Sequence, residues 1–500
     1  MMLTIVSKVV AFLKDIILAF YYGASYITDA YIIAFSLPGI IFGIIGVGLG
    51  TTFIPLYSEA LTEKDNSIPD KFTSSVINII IVFCTIIIGI VFIFPEQTLA
   101  VFASGFEGET LEIAVKFTRI GIIGIYFTGL IYVFESLLQI KGKYLVPAVV
   151  SIPLNIIIMM SIAASYFSDV KLIIYGSVIG LFTQLLLLVL KAKKHGFTYR
   201  FNLDLSNPYV KKMIFLAIPV ILGSSTTQIN QIVDRTIASQ IVVGGISALN
   251  YAQKLDVFIK SIFILPIVTV LYPTISEMVN KNKLPNVKKV VNESIVAISL
   301  LVIPATIGAM VFSEEIVIFL FGRGAFDETA VLMTSSALFF YSIGMLGFGI
   351  RTVLTKVFYA LKDTKTPMIN SSVAMITNIV LNIILSRILG IGGLALATAI
   401  AANLAMVLMI VSLKKKIGSL GLKNLFLKLF KIGSISLLMG IFSKLVYSKM
   451  LSMISQNVAL LVSICVGFAV YVIMLFIIKI DEVDIIINSL KGRLLNRQQK

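Results

Sequence analysis

Ser7 to Asp15 reads SKVVAFLKD, inside a stretch otherwise apolar enough to enter a bilayer. Lys8, Lys14 and Asp15 interrupt it, and a charge at bilayer depth costs somewhere between ~3 and ~15 kcal/mol, depending on how far it snorkels. Other ionisable groups recur in apolar surroundings: Asp29 in ITDAYIIAF, Asp234 and Arg235 in QIVDRTIAS, Lys254 and Asp256 in NYAQKLDVF. Such residues are functional candidates by default. Together they suggest a hydrated, net-positive chamber for an anionic head group, with each ammonium acting as a point charge for phosphate. Lys8 and Lys14 lie six residues apart, so their helix faces differ by roughly 120° and one or both can face the chamber. The structural alternative is internal pairing: Lys14 with Asp15 or Asp29, Asp234 with Arg235, Lys254 with Asp256. Adjacent residues do not face each other on a helix, which weakens two of those pairings. A second constellation, Asp234 with Asn378, Asn382 and Thr398, offers oxygen ligands to a hard cation such as Na+. Ordinary interhelical hydrogen bonding by Asn and Thr competes with that reading. The sequence assigns no role to Lys116, Arg119, Glu135, Arg351 or Lys356.

The elements that hold these groups must be membrane helices. The chain has 500 residues, 58% hydrophobic and 13% charged, against roughly 25% charged in a soluble globule. It reads as an all-α polytopic membrane protein. A window of ~20 residues predicts about fourteen transmembrane helices, near 2–22, 27–57, 71–94, 111–139, 144–167, 171–190, 210–240, 246–273, 288–312, 328–358, 366–388, 391–413, 425–447 and 456–479. Gly23-Ala24-Ser25 loosely resembles a signal cleavage site, but Lys14 and Asp15 break the apolar core a signal needs, so 2–22 reads as a retained helix. The second segment holds Pro38 and then Gly39, Gly43, Gly46, Gly48 and Gly50, which predicts a bent helix able to pack closely. Cys84 and Cys465 sit in apolar runs without disulfide or metal-ligand spacing, and the single His195 lies in a basic loop, which argues against a zinc or haem cofactor.

The net charge of +16 is a matter of topology. Lysine and arginine crowd alternate loops, from Lys64 and Lys71 through Lys191, Lys193 and Lys194 to Lys414, Lys415 and Lys416, while the other loops carry little beyond Lys171, Arg323, Arg387 and Lys449. The positive-inside rule then predicts a plasma-membrane protein with both termini cytoplasmic, and leaves nothing for nucleic acid to explain. The loops are short and carry no ATPase motif, so an ion gradient such as Na+, the membrane potential or the substrate gradient must supply any energy.

The chain also repeats itself. TTFIPLYSEALTEK resembles TVLYPTISEMVNKN, aligning Pro55, Ser58 and Glu59 with Pro273, Ser276 and Glu277. Gly105, Glu109 and Thr110 align with Gly324, Glu328 and Thr329, and Pro147 with Pro367, at a common offset of roughly 218–220 residues. Six helices per unit return the chain to the same side, so two parallel six-helix repeats are expected: an N-lobe at 1–205, a C-lobe at 206–415, and two additional helices with a basic tail at 416–500. Two such lobes suit alternating access, and the helices bearing Lys8, Lys14, Asp29, Asp234 and Lys254 are the first pairs of the two lobes, expected to line the cleft.

SKVVAFLKD, TDAYIIAFSLPG and FIPLYSE resemble the N-terminal signature of the MurJ/MviN lipid II flippases, within the multidrug/oligosaccharidyl-lipid/polysaccharide exporter superfamily. The resemblance resumes in QINQIVDRTIAS, NYAQKLDVF and LFGRGAFDETAVLMTSSALFFYSIGMLGFGIRTVLTKVFYALKDTKTP, and spans most of 1–415. It implies a transporter, not an enzyme, that moves an undecaprenyl-diphosphate-linked peptidoglycan precursor from the inner to the outer leaflet, with cell-wall synthesis machinery as a candidate partner. It implies basic residues for the diphosphate at Lys8, Lys14 and Lys254, an acid at Asp29, a sodium-like site at Asp234, Asn378, Asn382 and Thr398, and a groove for the lipid tail framed by the last two helices. The chain departs from the pattern where the family usually has arginine at Lys8, Lys14 and Lys254, arginine near Phe42, glutamate at Val257 and often aspartate at Asn382. Lysine does not grip phosphate bidentately as arginine does. A flippase for another polyprenyl-linked saccharide (capsule, teichoic or O-antigen unit) is therefore the alternative. An ion-coupled multidrug exporter fits less well, because it needs an apolar cavity with few cations. A membrane glycosyl polymerase would need catalytic carboxylates outside the membrane. The only candidates are Glu107, Glu109, Asp327 and Glu328, whose setting reads as helix capping.

Overall fold

The computed structural model describes residues 2–65, 67–201, 204, 206–281, 283–419 and 421–478; the basic tail residues Lys491, Arg493, Arg497 and Lys500 lie outside them. The described residues form helices without strands: α1 (Met2–Tyr22), α2 (Tyr26–Ala60), α3 (Ile68–Ile93), α4 (Pro95–Phe102), α5 (Gly108–Gly121), α6 (Gly124–Ile140), α7 (Leu145–Val149), α8 (Ser151–Tyr166), α9 (Leu172–Lys194), α10 (Pro208–Ile241), α11 (Gly245–Phe263), α12 (Leu265–Asn280), α13 (Leu284–Val311), α14 (Ser313–Phe321), α15 (Glu328–Ile343), α16 (Met345–Ala360), α17 (Lys365–Ile417), α18 (Leu422–Met450) and α19 (Gln456–Ile478).

Seven of these, and α7 with α8 taken together, are long and apolar enough to cross a bilayer, giving eight spans, or twelve when each of four bent pairs counts as one. Two further crossings escape that count for identifiable reasons. Helix α1 has the length but carries three charges, Lys8, Lys14 and Asp15. Helix α17 is 53 residues long, about 80 Å at 1.5 Å per residue, far more than a ~30 Å hydrocarbon core. It breaks at Gly390, where φ is 56° and ψ −132°, a conformation that a side chain strains. The chain is thus an all-α polytopic membrane protein, and every one of the fourteen expected segments falls on helix.

The sequence repeat reappears in the order of the elements. The bent pair α5–α6 starts at Gly108 and bends by 46°; the bent pair α15–α16 starts at Glu328, 220 residues on, and bends by 44°. The short α4 precedes the first pair as the short α14 precedes the second. Helix α2 corresponds to α11 and α12 together, with one difference: α2 runs unbroken through Pro38 and Pro55, whereas its counterpart bends by 44° between Phe263 and Leu265.

By packing, the chain divides into two units, 1–248 with 321–330, and 249–320 with 331–500. The first has its core between α2, α3, α6 and α9, around Phe42, Phe53, Phe72, Phe134 and Leu188. The glycines of α2 do what their spacing implies: Gly43 abuts Gln228 of α10, Gly48 abuts Ile221 and Ala217 of α10, and Gly46 abuts the Tyr132 ring of α6. Small residues let these helices approach. Phe42, near which the resemblance implies an arginine, is completely buried and stacks near Tyr132 at 6.3 Å, so it serves packing. The second unit is built on α13, α16 and α18, around Ile298, Val302, Leu354, Ile432 and Ile435. Helix α19 is tied in by Tyr471, whose hydroxyl donates to the Leu300 carbonyl at 2.8 Å. The α16–α17 loop is locked by Asp363, which takes Lys416 at 2.5 Å and the Thr366 amide at 3.0 Å. The Lys416 ammonium and that amide hold its carboxyl down to about 2.

Three tight turns interlock in the first unit. Gly23, between α1 and α2, has φ 58° and lies against the Ala325 carbonyl. Gly324 has φ 67° and lies against the Phe20 carbonyl, to which Ala325 N donates at 2.8 Å. Gly244, between α10 and α11, has φ 83° and lies against the Ala24 carbonyl. A side chain at Gly23 meets two penalties, ~1–2 kcal/mol for the left-handed backbone and a clash with backbone atoms that must move. Gly23→Ala is expected to destabilise the protein by about 2 kcal/mol or more, read as a lower Tm of the purified protein in detergent. An unchanged Tm would mean that this turn is not packed as described.

Candidate functional site

Asp29 is placed by the turn lattice. Ser25 caps α2 through its hydroxyl, which accepts from Thr28 N at 3.4 Å, and the buried Thr28 hydroxyl donates to the Gly23 carbonyl at 3.0 Å. That fixes the first turn of α2 and sends the Asp29 carboxylate, 1% exposed, to the start of α11. Gly244 N donates to Oδ2 at 2.7 Å, Ser247 N donates to Oδ1 at 2.7 Å, and the Ser247 hydroxyl also donates to Oδ1. Asp29 therefore caps a helix more than two hundred residues away in sequence, satisfying its orphan N–H groups and countering its positive dipole end. Its partners are the start of α11, not a lysine.

Lys14 is buried and Lys8 exposed on the same helix, an outcome their offset on the α-helical wheel allows. The Lys14 ammonium pairs with Asp15 at 3.0 Å and lies 5.8 Å from the centre of the Phe35 ring. The four-carbon stem of lysine lets it reach a neighbour that the helix itself points elsewhere. Phe35 in turn stacks on Tyr31 at 5.6 Å, and Tyr31 meets Ser177 of α9 at 3.0 Å. The result is one buried cation, one carboxylate and an aromatic wall. Asp234, on α10, is also buried, and receives Asn230 Nδ2 at 3.4 Å. Arg235 donates to the Ser36 hydroxyl of α2.

In the second unit Lys254 is exposed on α11, and Asp256 turns to Lys260, one turn on, at 2.5 Å. Val257 is 53% exposed. Asn378 and Asn382 are buried; Asn382 Nδ2 donates to Asn378 Oδ1 at 3.0 Å, and Asn378 Nδ2 donates to the Thr398 hydroxyl at 3.2 Å, joining the two halves of α17. Of the expected groupings, the structure joins Lys14 to Asp15 and the two asparagines to Thr398. Lys8, Lys14, Asp29 and Asp234 belong to one unit, Lys254, Asn378, Asn382 and Thr398 to the other. Among the described residues there is no cluster of three or more His, Cys, Asp or Glu that could hold a metal ion. Two groups were given no partner by the sequence. Lys260 was signalled by its i,i+4 spacing from Asp256. Arg351 was noticed, but nothing in the sequence places it against Phe348, where its guanidinium lies 5.5 Å from the ring centre.

The profile of the family described as "Lipid II flippase MurJ" matches residues 18–481. A protein named "Probable lipid II flippase MurJ" from Buchnera aphidicola is 29% identical over 407 residues, covering 80% of this chain and 79% of its own length. Among solved structures, "Lipid II flippase MurJ, inward closed conformation" superposes with a TM-score of 0.85 at 28% identity, covering 96% of this chain and 99% of that one. An inward-facing multidrug resistance MATE family transporter of the MOP superfamily superposes with a TM-score of 0.70 at 12% identity, over 83% of this chain and 95% of its own; this is a likeness of fold.

Proposed function

The chain belongs to the lipid II flippase MurJ family, and from that premise we propose how it moves lipid II, the polyprenyl-diphosphate-linked peptidoglycan precursor, from the inner to the outer leaflet. The observation that carries the proposal is Lys14: a lysine buried within a span, with only part of its capacity taken up by Asp15. An ammonium has three donors. One serves Asp15 and two remain for diphosphate oxygens, with Lys8 and Lys254 as the other point charges. Asp15 keeps the empty site from holding an uncompensated charge, so the cation can stay charged while it waits.

The positive-inside pattern puts both termini in the cytoplasm. The substrate then enters from the inner leaflet, and its polyprenyl tail stays in lipid along α18 and α19. Asp29 and the start of α11 come from the first and second sequence repeats. Their hydrogen bonds join the first repeat to the start of the second within one packing unit, and we take their making and breaking as the step that gates transport. A diphosphate carries negative charge outward, down an inside-negative potential, which supplies roughly 2.3 kcal/mol per charge per 100 mV. The membrane potential is thus sufficient as a drive. Na+ at Asp234, Asn378, Asn382 and Thr398 is the second candidate coupling. The buried and mid-span cations favour a diphosphate lipid over the apolar drugs of an exporter. The test is complementation: this chain is expected to support growth of a bacterium depleted of its own lipid II flippase. Failure to do so while inserted at normal levels, with rescue of a capsule- or teichoic-precursor flippase mutant instead, would move the assignment to another polyprenyl-linked saccharide.

A further inference from the structure

Asp256, Lys260, Phe348 and Arg351 form a second polar cluster, within one packing unit and in the middle of two bent spans. Lys260 lies fifteen residues into the pair α11–α12. Arg351 lies nine residues before the end of α16, about 14 Å along the helix axis. Lys260 is in the last turn of α11, beside the bend with α12, and Arg351 is six residues past the start of α16, so both sit near the bends, well inside their bent spans. Both lie over the Phe348 ring, with Lys260 Nζ 4.6 Å and the Arg351 guanidinium 5.5 Å from its centre. Two cations share one ring, and of the two only Lys260 has a carboxylate among the described residues. Lys260 takes Asp256 Oδ2 at 2.5 Å. Among the described residues, no carboxylate, carbonyl or hydroxyl accepts from the Arg351 guanidinium, and Asp256 Oδ1 is buried without a hydrogen-bond partner.

A guanidinium is a rigid fork of five donors whose natural complement is a carboxylate or phosphate. One left without an acceptor at mid-span, beside a second cation and an orphaned acceptor, is an incomplete site. We propose that Lys260 and Arg351 form an oxyanion subsite for the polar head of the transported lipid, distinct from the lysine group at Lys8, Lys14 and Lys254. The oxyanion completes the Arg351 fork and brings the cluster of two cations and one carboxylate to neutrality. A hydroxyl or amide N–H beside it donates to Asp256 Oδ1. The Phe348 ring holds both cations at one place through its π face. Peptide carboxylates and phosphates of the substrate share this chemistry. The proposal rests on the flippase reading above.

The experiment is a titration of the full-length protein in nanodiscs, read by native mass spectrometry, with two probes: lipid II, and undecaprenyl diphosphate lacking sugar and peptide. Arg351→Gln is expected to lose at least ten-fold in affinity for lipid II, and Lys260→Gln at least three-fold. A loss confined to lipid II identifies the oxyanion as a peptide carboxylate; an equal loss for both probes identifies it as phosphate; either supports the subsite. Without lipid, Arg351→Gln is expected to melt no lower than the wild type, because it removes a cation that has no acceptor. A lower Tm of the lipid-free variant would make Arg351 a structural group and overturn the proposal. Wild type that binds lipid II while both variants bind it equally well also overturns the subsite. Wild type that does not bind lipid II overturns the flippase reading itself.

Discussion

Asp29→Ala is expected to abolish growth support in a flippase-depletion strain. The substitution removes three hydrogen bonds to a buried carboxylate, each contributing ~1.5–3 kcal/mol when charge-assisted, and leaves the Gly244 and Ser247 amides at the start of α11 without acceptors. Allowing for non-additivity, about 4 kcal/mol is lost. In the proposed cycle this loss falls on the conformation that contains the bonds, and it then shifts the balance between conformations by about a thousand-fold as well as lowering stability. Substrate binding could not restore a balance moved that far, since one step of the cycle would become rate-limiting. Asp29→Asn keeps a single carbonyl acceptor and should retain partial growth support. Ser247→Ala removes the hydroxyl but leaves the amide bonds, and should be the mildest of the three. Growth rates in the order wild type, Ser247→Ala, Asp29→Asn, Asp29→Ala, with membrane levels measured alongside, would bear this out. Wild-type growth by Asp29→Ala would show that the contact is dispensable.

What the sequence reveals here, and what it hides, follows from the range of each interaction. Helices in a bilayer are dictated locally, by runs of apolar residues that must satisfy their own backbone. That is why even the break at Gly390 falls in the expected gap between 388 and 391. The repeat is likewise legible, because Pro55 and Pro273 or Gly105 and Gly324 keep their spacing. Charge pairing is less so. Lys254 with Asp256 was one of the internal pairings the sequence left open, but residues two apart point roughly 200° apart on a helix, and Asp256 finds Lys260 one turn on. Sequence discounted Lys14 with Asp15, and a flexible stem closes the pair at 3.0 Å. The partner of Asp29 was out of reach altogether: Gly244 is 215 residues away, and only the three interlocked turns bring it near. Burial of Asp29 could be foreseen from ITDAYIIAF; its role as a cap for another helix could not.

Lys14 and Asp15 offer the sharpest separation of structure from function, because the same ion pair makes opposite demands in the two cases. If the pair exists only to hold α1, removing either partner leaves a buried charge uncompensated, at ~3–5 kcal/mol, and removing both should restore stability and activity together. If Lys14 is there for a diphosphate, the double variant Lys14→Gln with Asp15→Asn should recover the wild-type Tm yet remain inactive. The single variant Asp15→Asn tests the other half. It leaves Lys14 a lone buried cation, so it is expected to bind a diphosphate lipid more tightly than wild type and to release it more slowly, slowing turnover although affinity rises. Lys14→Arg keeps the charge and adds a bidentate fork, and should transport at a rate within a few-fold of wild type if the wall formed by Phe35 and Tyr31 accommodates the larger head. The decisive readings are Tm and lipid II translocation measured on the same proteoliposome preparations. Recovery of both in the Lys14→Gln, Asp15→Asn protein would reduce SKVVAFLKD to a structural element and remove the cation on which the proposed transport mechanism depends.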